Sequence, residues 1–308
     1  MLLDFIQQFE LTKNVTLNSK VCENSSWKHP ILVAVNSAPN HIDHRNTVRR
    51  TWGKKAKELH LSYVFVVAQT EDEKTNKAIK REHNLYGDLI SASFIDSWFN
   101  LTLKSTFILG WANSHCRDQW LMLLDDDTIL IPQNLIDFVN DNGGIQAYQK
   151  TIYCEGGDVW TFVDDRPENK YYISRQVVPT EFTVDRCSGV AYLISPASVE
   201  PLYNACMSNK TQPKIWFEDI YVTGLAAEVA GVGRKFNGDI FVMFYAHLLN
   251  RIGGYRGKSI IRDIITVGNN GWESEYESKW NFIYSNYESL VEKEKSSLWY
   301  KLKAFGKI

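Results

Sequence analysis

The sequence predicts an α/β fold, a mostly parallel sheet covered by helices on both faces. Three observations carry that expectation. Short apolar or β-branched runs alternate with segments of helical periodicity, the pattern of strand–helix–strand units. The run Leu121-Met122-Leu123-Leu124 is apolar throughout, as a strand buried on both sides requires. Finally, 308 residues with 44% hydrophobic and 23% charged side chains suffice for a large core, in one elaborated domain or in two.

Composition narrows the function classes. With 34 basic against 36 acidic residues, net −2, no nucleic-acid or membrane-surface partner is expected. No stretch approaches the ~18–20 apolar residues that cross a bilayer. Met1-Leu2-Leu3-Asp4-Phe5 is interrupted by Asp4, Gln7, Gln8 and Glu10, so a targeting segment is missing or not recognisable. Cys22, Cys116, Cys154, Cys187 and Cys206 show no metal-ligand spacing, so zinc is not expected from them. Sequons at Asn14, Asn24, Asn100 and Asn209 fit the secretory pathway, where some cysteines would pair and an odd one would remain.

Residues 1–27 are polar and without clear periodicity, which predicts a stem or arm. Order begins with a strand at Ile31–Val35, closed by Asn36-Ser37-Ala38-Pro39-Asn40. A basic helix follows over 41–53, with Arg45 and Arg49 on one face. Two forked guanidiniums near a strand's carboxyl end could bind a diphosphate, or equally be solvated surface arginines. Leu61–Ala68 predicts a strand, Glu71–His83 a surface helix and Gly87–Phe94 another strand. Phe99, Leu103, Thr106, Phe107 and Gly110 recur at the spacing of a helix lying on the sheet. The fourth strand, 121–127, ends in Asp125-Asp126-Asp127. In open α/β sheets ligands bind at that end, and adjacent carboxylates near a core call for a hard divalent ion. In regular strand geometry Asp125 and Asp127 face one side and Asp126 the other.

A helix is expected from Pro132 to about Asn140, ended by Asn142-Gly143-Gly144. Residues 150–186 are the least regular and predict a substrate-facing excursion. Cys187–Ser195 resumes strand character and Pro196–Cys206 looks helical. Glu218 and Asp219 precede Val222, Leu225, Ala226 and Val229 at helical spacing, so either could cap a helix. Ile240–Tyr245 predicts a strand, after which His247 stands alone. Residues 251–308, charged and aromatic, form an extension packed on the same domain.

Several of these stretches, in order, carry a resemblance. Arg45-Asn46-Thr47-Val48-Arg49-Arg50-Thr51-Trp52-Gly53, Asp96-Ser97-Trp98-Phe99-Asn100-Leu101-Thr102-Leu103-Lys104, Asp125-Asp126-Asp127, Cys187-Ser188-Gly189 and Glu218-Asp219-Ile220-Tyr221-Val222 resemble the motifs of β-1,3-glycosyltransferases. The group is that of the galactosyltransferases and N-acetylglucosaminyltransferases, distantly related to the fringe enzymes. The likeness covers about residues 30–250, the expected catalytic domain being 28–250.

The resemblance implies a GT-A fold, a Rossmann-like nucleotide-binding sheet joined to an acceptor-binding half. It also implies inverting transfer of a hexose from a UDP-sugar to a glycan acceptor on a glycoprotein or glycolipid. Asp125 and Asp127, with His247, would hold Mn²⁺ or Mg²⁺; Arg45, Arg49, Asp96, Lys104, Asp125 and Asp126 would line the donor site. Asp219 would be the general base, with Glu218 orienting the acceptor or capping the helix. Family members are typically anchored in the Golgi by one N-terminal transmembrane helix, so membrane association is expected only through an anchor absent from this sequence. Four departures stand out: His44 for an arginine, Trp98 for a tyrosine, Gly268 for the His of a final Ile-Thr-Val-His, and that absent helix. Two other classes compete. One is a non-catalytic sugar-binding relative. The other is a haloacid-dehalogenase-type phosphohydrolase, which wants Thr or Val where this chain has Ile129.

Overall fold

The computed structural model describes residues 9–23, 28–161, 167–169, 172–174, 177, 182–254, 257–269 and 275–304. Within them the strands are β1 (Val15–Leu17), β2 (Ile31–Asn36), β3 (Ser62–Gln69), β4 (Leu89–Ile95), β5 (Trp120–Asp125), β6 (Ile129–Leu130), β7 (Thr151–Thr161), β8 (Phe182–Ile194), β9 (Gly233–Phe236), β10 (Phe241–Val242) and β11 (Thr266–Val267). The larger sheet has the order β1-β4-β3-β2-β5-β8-β7-β9, and a small one the order β10-β11-β6. Strands β4, β3, β2 and β5 are mutually parallel, and β8 turns the sheet antiparallel beyond β5. This is the mostly parallel, Rossmann-like α/β sheet that the sequence predicts.

Alternation along the central strands feeds two cores. Leu32 and Ala34 of β2, with Leu121 and Leu123 of β5, enter one; Ile31, Val33 and Val35, with Trp120, Met122 and Leu124, enter the other. Each of the Val, Leu, Ile and Met side chains among them, fully buried, contributes about 1.5–3 kcal/mol. Helix Leu101–His115 covers the first face and is itself covered by helix Pro196–Met207. The contact is close enough that a Cβ on Gly110 would lie 2.7 Å from the Tyr203 ring. Helix Glu73–Tyr86 starts where the Asp72 carboxylate accepts from the amides of Lys74 and Thr75, and stops at Gly87 with φ 67°.

Three regions differ from expectation. The segment read as a stem joins the domain: β1 pairs antiparallel with β4, Phe9 and Val21 enter the core, and Cys22 is bonded to Cys116. The excursion expected at 150–186 contains the long β7–β8 pair, tied by Cys154–Cys187; residues 162–166 and 178–181 of it lie outside the described set. The strand expected at Ile240–Tyr245 shrinks to Phe241–Val242, and helix Tyr245–Ile252 takes over. The C-terminal helix Tyr276–Ala304 packs on the domain through Tyr276, Trp280, Ile283 and Tyr287. Tyr276 accepts from Trp52 Nε1 at 3.1 Å and donates to the Thr128 carbonyl at 2.8 Å, holding the turn after β5.

Candidate active site

Neighbouring strands in the order β3-β2-β5 leave β2 by crossovers on opposite sides, so the crevice between the carboxyl ends of β2 and β5 is a topological switch point. Asn36 ends β2 directly opposite Asp125, which ends β5. Asn36 Nδ2 donates to Asp125 Oδ1 at 3.0 Å, and the Asp126 amide donates to the Asn36 carbonyl at 3.0 Å. A cleft of about 600 Å³ opens here, lined by Asn36, Ala38 to His41, Thr70, Thr75, Asp96, Ser97, Trp98, Leu101, Lys104 and Asp125 to Asp127.

The three aspartates separate by environment. Burial and the neighbouring Asp127 charge push the Asp125 carboxyl well above its ordinary value. A crowded, part-buried carboxylate pair of this kind fits a divalent cation, which would relieve the repulsion with oxygen ligands. Asp126 behaves oppositely. It is only 6% exposed; burial pushes its carboxyl up, but hydrogen bonds from His41, His44 and Ser37 hold it well below the carboxylate range. Ser37 Oγ donates to Asp126 Oδ2 at 2.6 Å, while the Nδ1 atoms of His41 and His44 lie 3.0 and 3.2 Å from its two oxygens. Asp126 thus pins the loop after β2 from the wall of the cleft.

Lys104 and Asp96 line the cleft, joined at 2.7 Å, with Lys104 Nζ also donating to the Ser37 carbonyl at 2.8 Å. The two arginines are placed differently. Arg45 is fully buried; its guanidinium meets both Glu82 oxygens at 2.9 and 2.8 Å and donates to Ser37 Oγ and to the carbonyls of Ala38 and Pro39. Arg49 bridges Glu82 and Asp88 at 2.8 and 2.7 Å and stacks on Tyr86. Their donors are consumed inside the protein, so the diphosphate role expected of Arg45 and Arg49 is replaced by a buried ionic cluster that fixes the loop bearing Ser37 and His41.

The second acidic motif lies against β8. Residues Asp219–Ala226 form a π-helix, whose wider turn at functional sites is a known habit of that conformation. Thr223 Oγ1 accepts from the Cys187 amide at 2.9 Å and donates to the Asp219 carbonyl at 2.5 Å, fastening the helix start to β8. Gly189 leaves the room: a Cβ there would stand 3.3 Å from Glu218 Oε2 and 3.5 Å from Asp219 Cβ. Burial, then the charge of Asp219, raise the Glu218 carboxyl to about 8, and Tyr192 donates its hydroxyl to it. Burial also raises Asp219, against the opposing pull of Arg186, which pairs with its carboxylate. Glu218 lies near enough for its charge to add to the upward push on Asp125.

His247 does not join them. Carried by helix Tyr245–Ile252, it is exposed, its ring 5.0 Å from that of Phe244. Among the described residues, only His41, His44 and Asp126 bring metal-ligating atoms all within 4.8 Å of one another; Asp125, Asp127 and His247 do not. The sequence reading also missed Asn36, Ser37, His41, Arg186 and Tyr192. Asn36 Oδ1 and Arg186 Nε are buried without a hydrogen-bond partner among the described residues, one beside Asp125 and one beside Asp219. Such atoms are rare where nothing binds.

Residues 43–237 match the family model described as Galactosyltransferase, more than half of the 308-residue chain. The chain belongs to the galactosyltransferase family. Within that family, it is similar to the lactosylceramide 1,3-N-acetyl-beta-D-glucosaminyltransferase of Homo sapiens, 28% identical over 66% of this chain and 54% of the relative. It is also similar to the UDP-GalNAc:beta-1,3-N-acetylgalactosaminyltransferase 1 of Rattus norvegicus, 31% identical over 77% of this chain and 74% of the relative. The chain spans about half the length of several curated relatives it matches. Among solved structures, galactosyltransferase LgtC in complex with donor and acceptor sugar analogs aligns with 84% of this chain and 95% of its own, at 11% identity and a TM-score of 0.39.

Two predictions test this galactosyltransferase-family site. Arg45→Ala leaves Glu82 buried with one of its partners gone and should lower unfolding free energy by about 3–5 kcal/mol in urea denaturation; a loss below 1 kcal/mol would deny the cluster its structural role. The second concerns Glu218, whose folded value of about 8 lies above its ordinary 4.5. The native state therefore keeps a proton that the unfolded chain releases, and stability falls as pH rises from about 4.5 to about 8. Glu218→Gln removes that slope. Its stability relative to wild type should increase with pH across the window in chelator-treated buffer, as read by thermal unfolding at several pH values.

Proposed function

We propose that the protein is an inverting β-1,3-glycosyltransferase that moves a hexose, galactose or an N-acetylhexosamine, from a UDP-sugar to a hydroxyl of a glycan on a glycoprotein or glycolipid. The observation that carries the reading is the acidic cleft at the switch point, lined by Asp125 to Asp127, with a second carboxylate pair, Glu218 and Asp219, held against β8 near enough for Glu218 to act on Asp125. The UDP moiety would lie in the cleft along Asn36, Asp96 and Lys104. Asp125 and Asp127 would hold Mn²⁺ or Mg²⁺ on the diphosphate, supplying positive charge as the leaving group becomes anionic.

Proton transfer belongs to Asp219. Inversion in one displacement needs a carboxylate opposite the leaving group: the acceptor O–H bond breaks toward that carboxylate while the new C–O bond forms and the bond to UDP breaks. The two candidates have different protonation. With its value near 8, Glu218 mostly carries a proton at neutral pH and serves better as a hydrogen-bond donor. Asp219 pairs with Arg186, which opposes protonation, while burial makes it more basic than an exposed aspartate.

Compartment follows from covalent chemistry. Two disulfides, Cys22–Cys116 and Cys154–Cys187, and exposed sequon residues Asn14 and Asn209 suit an oxidising lumen. We place the protein in the Golgi, as a type II membrane protein if an anchor is attached; among the described residues no helix is long and apolar enough to cross a membrane.

Asp219→Asn should abolish transfer, by about a thousandfold or more where a general base is lost together with its charge, yet leave Mn²⁺-dependent UDP affinity near wild type. Asp127→Asn should weaken that affinity instead. A radiolabelled transfer assay with several UDP-sugars, beside calorimetric UDP titration, separates the two; transfer at the wild-type rate by Asp219→Asn refutes the base assignment.

A further inference from the structure

We propose that His41, His44 and Asp126 form a binding site for a borderline transition-metal ion of the Zn²⁺ class, distinct from the oxygen-only site at Asp125 and Asp127. His41 stands just before helix Ile42–Arg50 and His44 one turn into it, a spacing that puts both imidazoles on one side. Their ring centroids are 4.1 Å apart, and both Nδ1 atoms face the Asp126 carboxylate, at 3.0 and 3.2 Å. All three ligand atoms fall within 4.8 Å of one another. Tetrahedral zinc with bonds near ~2.0–2.1 Å separates its ligand atoms by roughly 3.4 Å, a spacing that the two His–Asp126 distances already approach.

The donor set decides which ion. Two imidazoles and one carboxylate suit Zn²⁺, Co²⁺ or Cu²⁺, whereas carboxylates with phosphate and water suit Mn²⁺ and Mg²⁺. Water can complete the coordination, because the His41 side chain is 37% exposed beside the cleft while that of Asp126 is 8% exposed. Arg45 and Lys104 disfavour positive charge at His41, but each is ion-paired. Arg45 is neutralised by Glu82, and Lys104 by Asp96. The pocket is also braced from behind, since Ser37 Oγ donates to Asp126 and accepts from Arg45, which orients the ligating carboxylate as an outer-shell partner does. The cysteine pattern, which excludes a thiolate zinc site, is silent about this one.

The competing account is a hydrogen-bonded clasp in which both imidazoles donate to Asp126 and no ion enters. Zinc chloride titrated calorimetrically into the full chain, with Mn²⁺ in excess to occupy the carboxylate site, distinguishes them. We expect one equivalent of Zn²⁺ to bind, at least about tenfold more weakly in His44→Gln and undiminished in Asp125→Asn. Wild-type protein with Co²⁺ in place of Zn²⁺ should develop the intense visible absorption of a low-coordinate, imidazole-ligated ion, a readout that stands even if His44→Gln fails to fold. No binding under excess Mn²⁺, equal affinity in His44→Gln, loss in Asp125→Asn, or only the weak spectrum of octahedral Co²⁺ would each overturn the site. None of these outcomes depends on which sugar is transferred, or on whether any is.

Discussion

Carboxylate crowding at the end of β5 is the constraint around which the molecule is arranged. Three consecutive aspartates emerge from a strand buried on both faces, and each unpaired charge there would be expensive. The protein gives them different surroundings. Asp126 is satisfied from within by Ser37, His41 and His44, whereas Asp125 has one amide donor from Asn36 and a carboxyl raised by burial and by Asp127. The first arrangement stiffens the scaffold, and the second leaves electrostatic demand for a ligand.

That division explains why so much of the surrounding structure serves to brace a single loop. Residues Ser37 to His41 follow β2 and carry the groups that hold Asp126. Arg45 reaches back to that loop through Ser37, Ala38 and Pro39 while its charge is balanced by Glu82. Lys104 reaches it from the opposite helix through the Ser37 carbonyl. On the far side of the turn, Tyr276 joins Trp52 to Thr128, so the C-terminal helix also bears on the acidic turn. The basic helix therefore acts on the cleft by positioning its wall.

Much of this was legible locally. The central strands, the covering helices and the placement of Asp125 at a strand's carboxyl end follow from short-range periodicity and from the position of turn residues. What escaped depends on partners distant in the chain. Arg45 and Arg49 read as available cations because Glu82 and Asp88 lie on a later helix and the strand entry behind it. Val15–Leu17 is short and largely exposed on its own; only its pairing with β4 and the Cys22–Cys116 link make it part of the sheet. His247 was misplaced because a short apolar run does not reveal whether a strand continues or a helix begins, and here the helix begins at Tyr245.

The opening acidic motif and the Glu218–Asp219 pair differ in the same way as the two chemical tasks they would perform. Stabilising a departing diphosphate needs charge gathered at a fixed point, which the rigid ends of β2 and β5 provide. Accepting a proton needs one carboxylate kept ionised beside another kept neutral, and burial acting on both cannot make that distinction alone. The Asp219 charge adds to it by raising Glu218 further, while Arg186 pairs with Asp219 and opposes the rise there. Gly189 lets both carboxylates approach β8 closely enough to meet Arg186 and Tyr192 of that strand. The Cys-Ser-Gly segment thus bears on the two acids through the space that its glycine leaves open, and β8 supplies the partners that each of them meets.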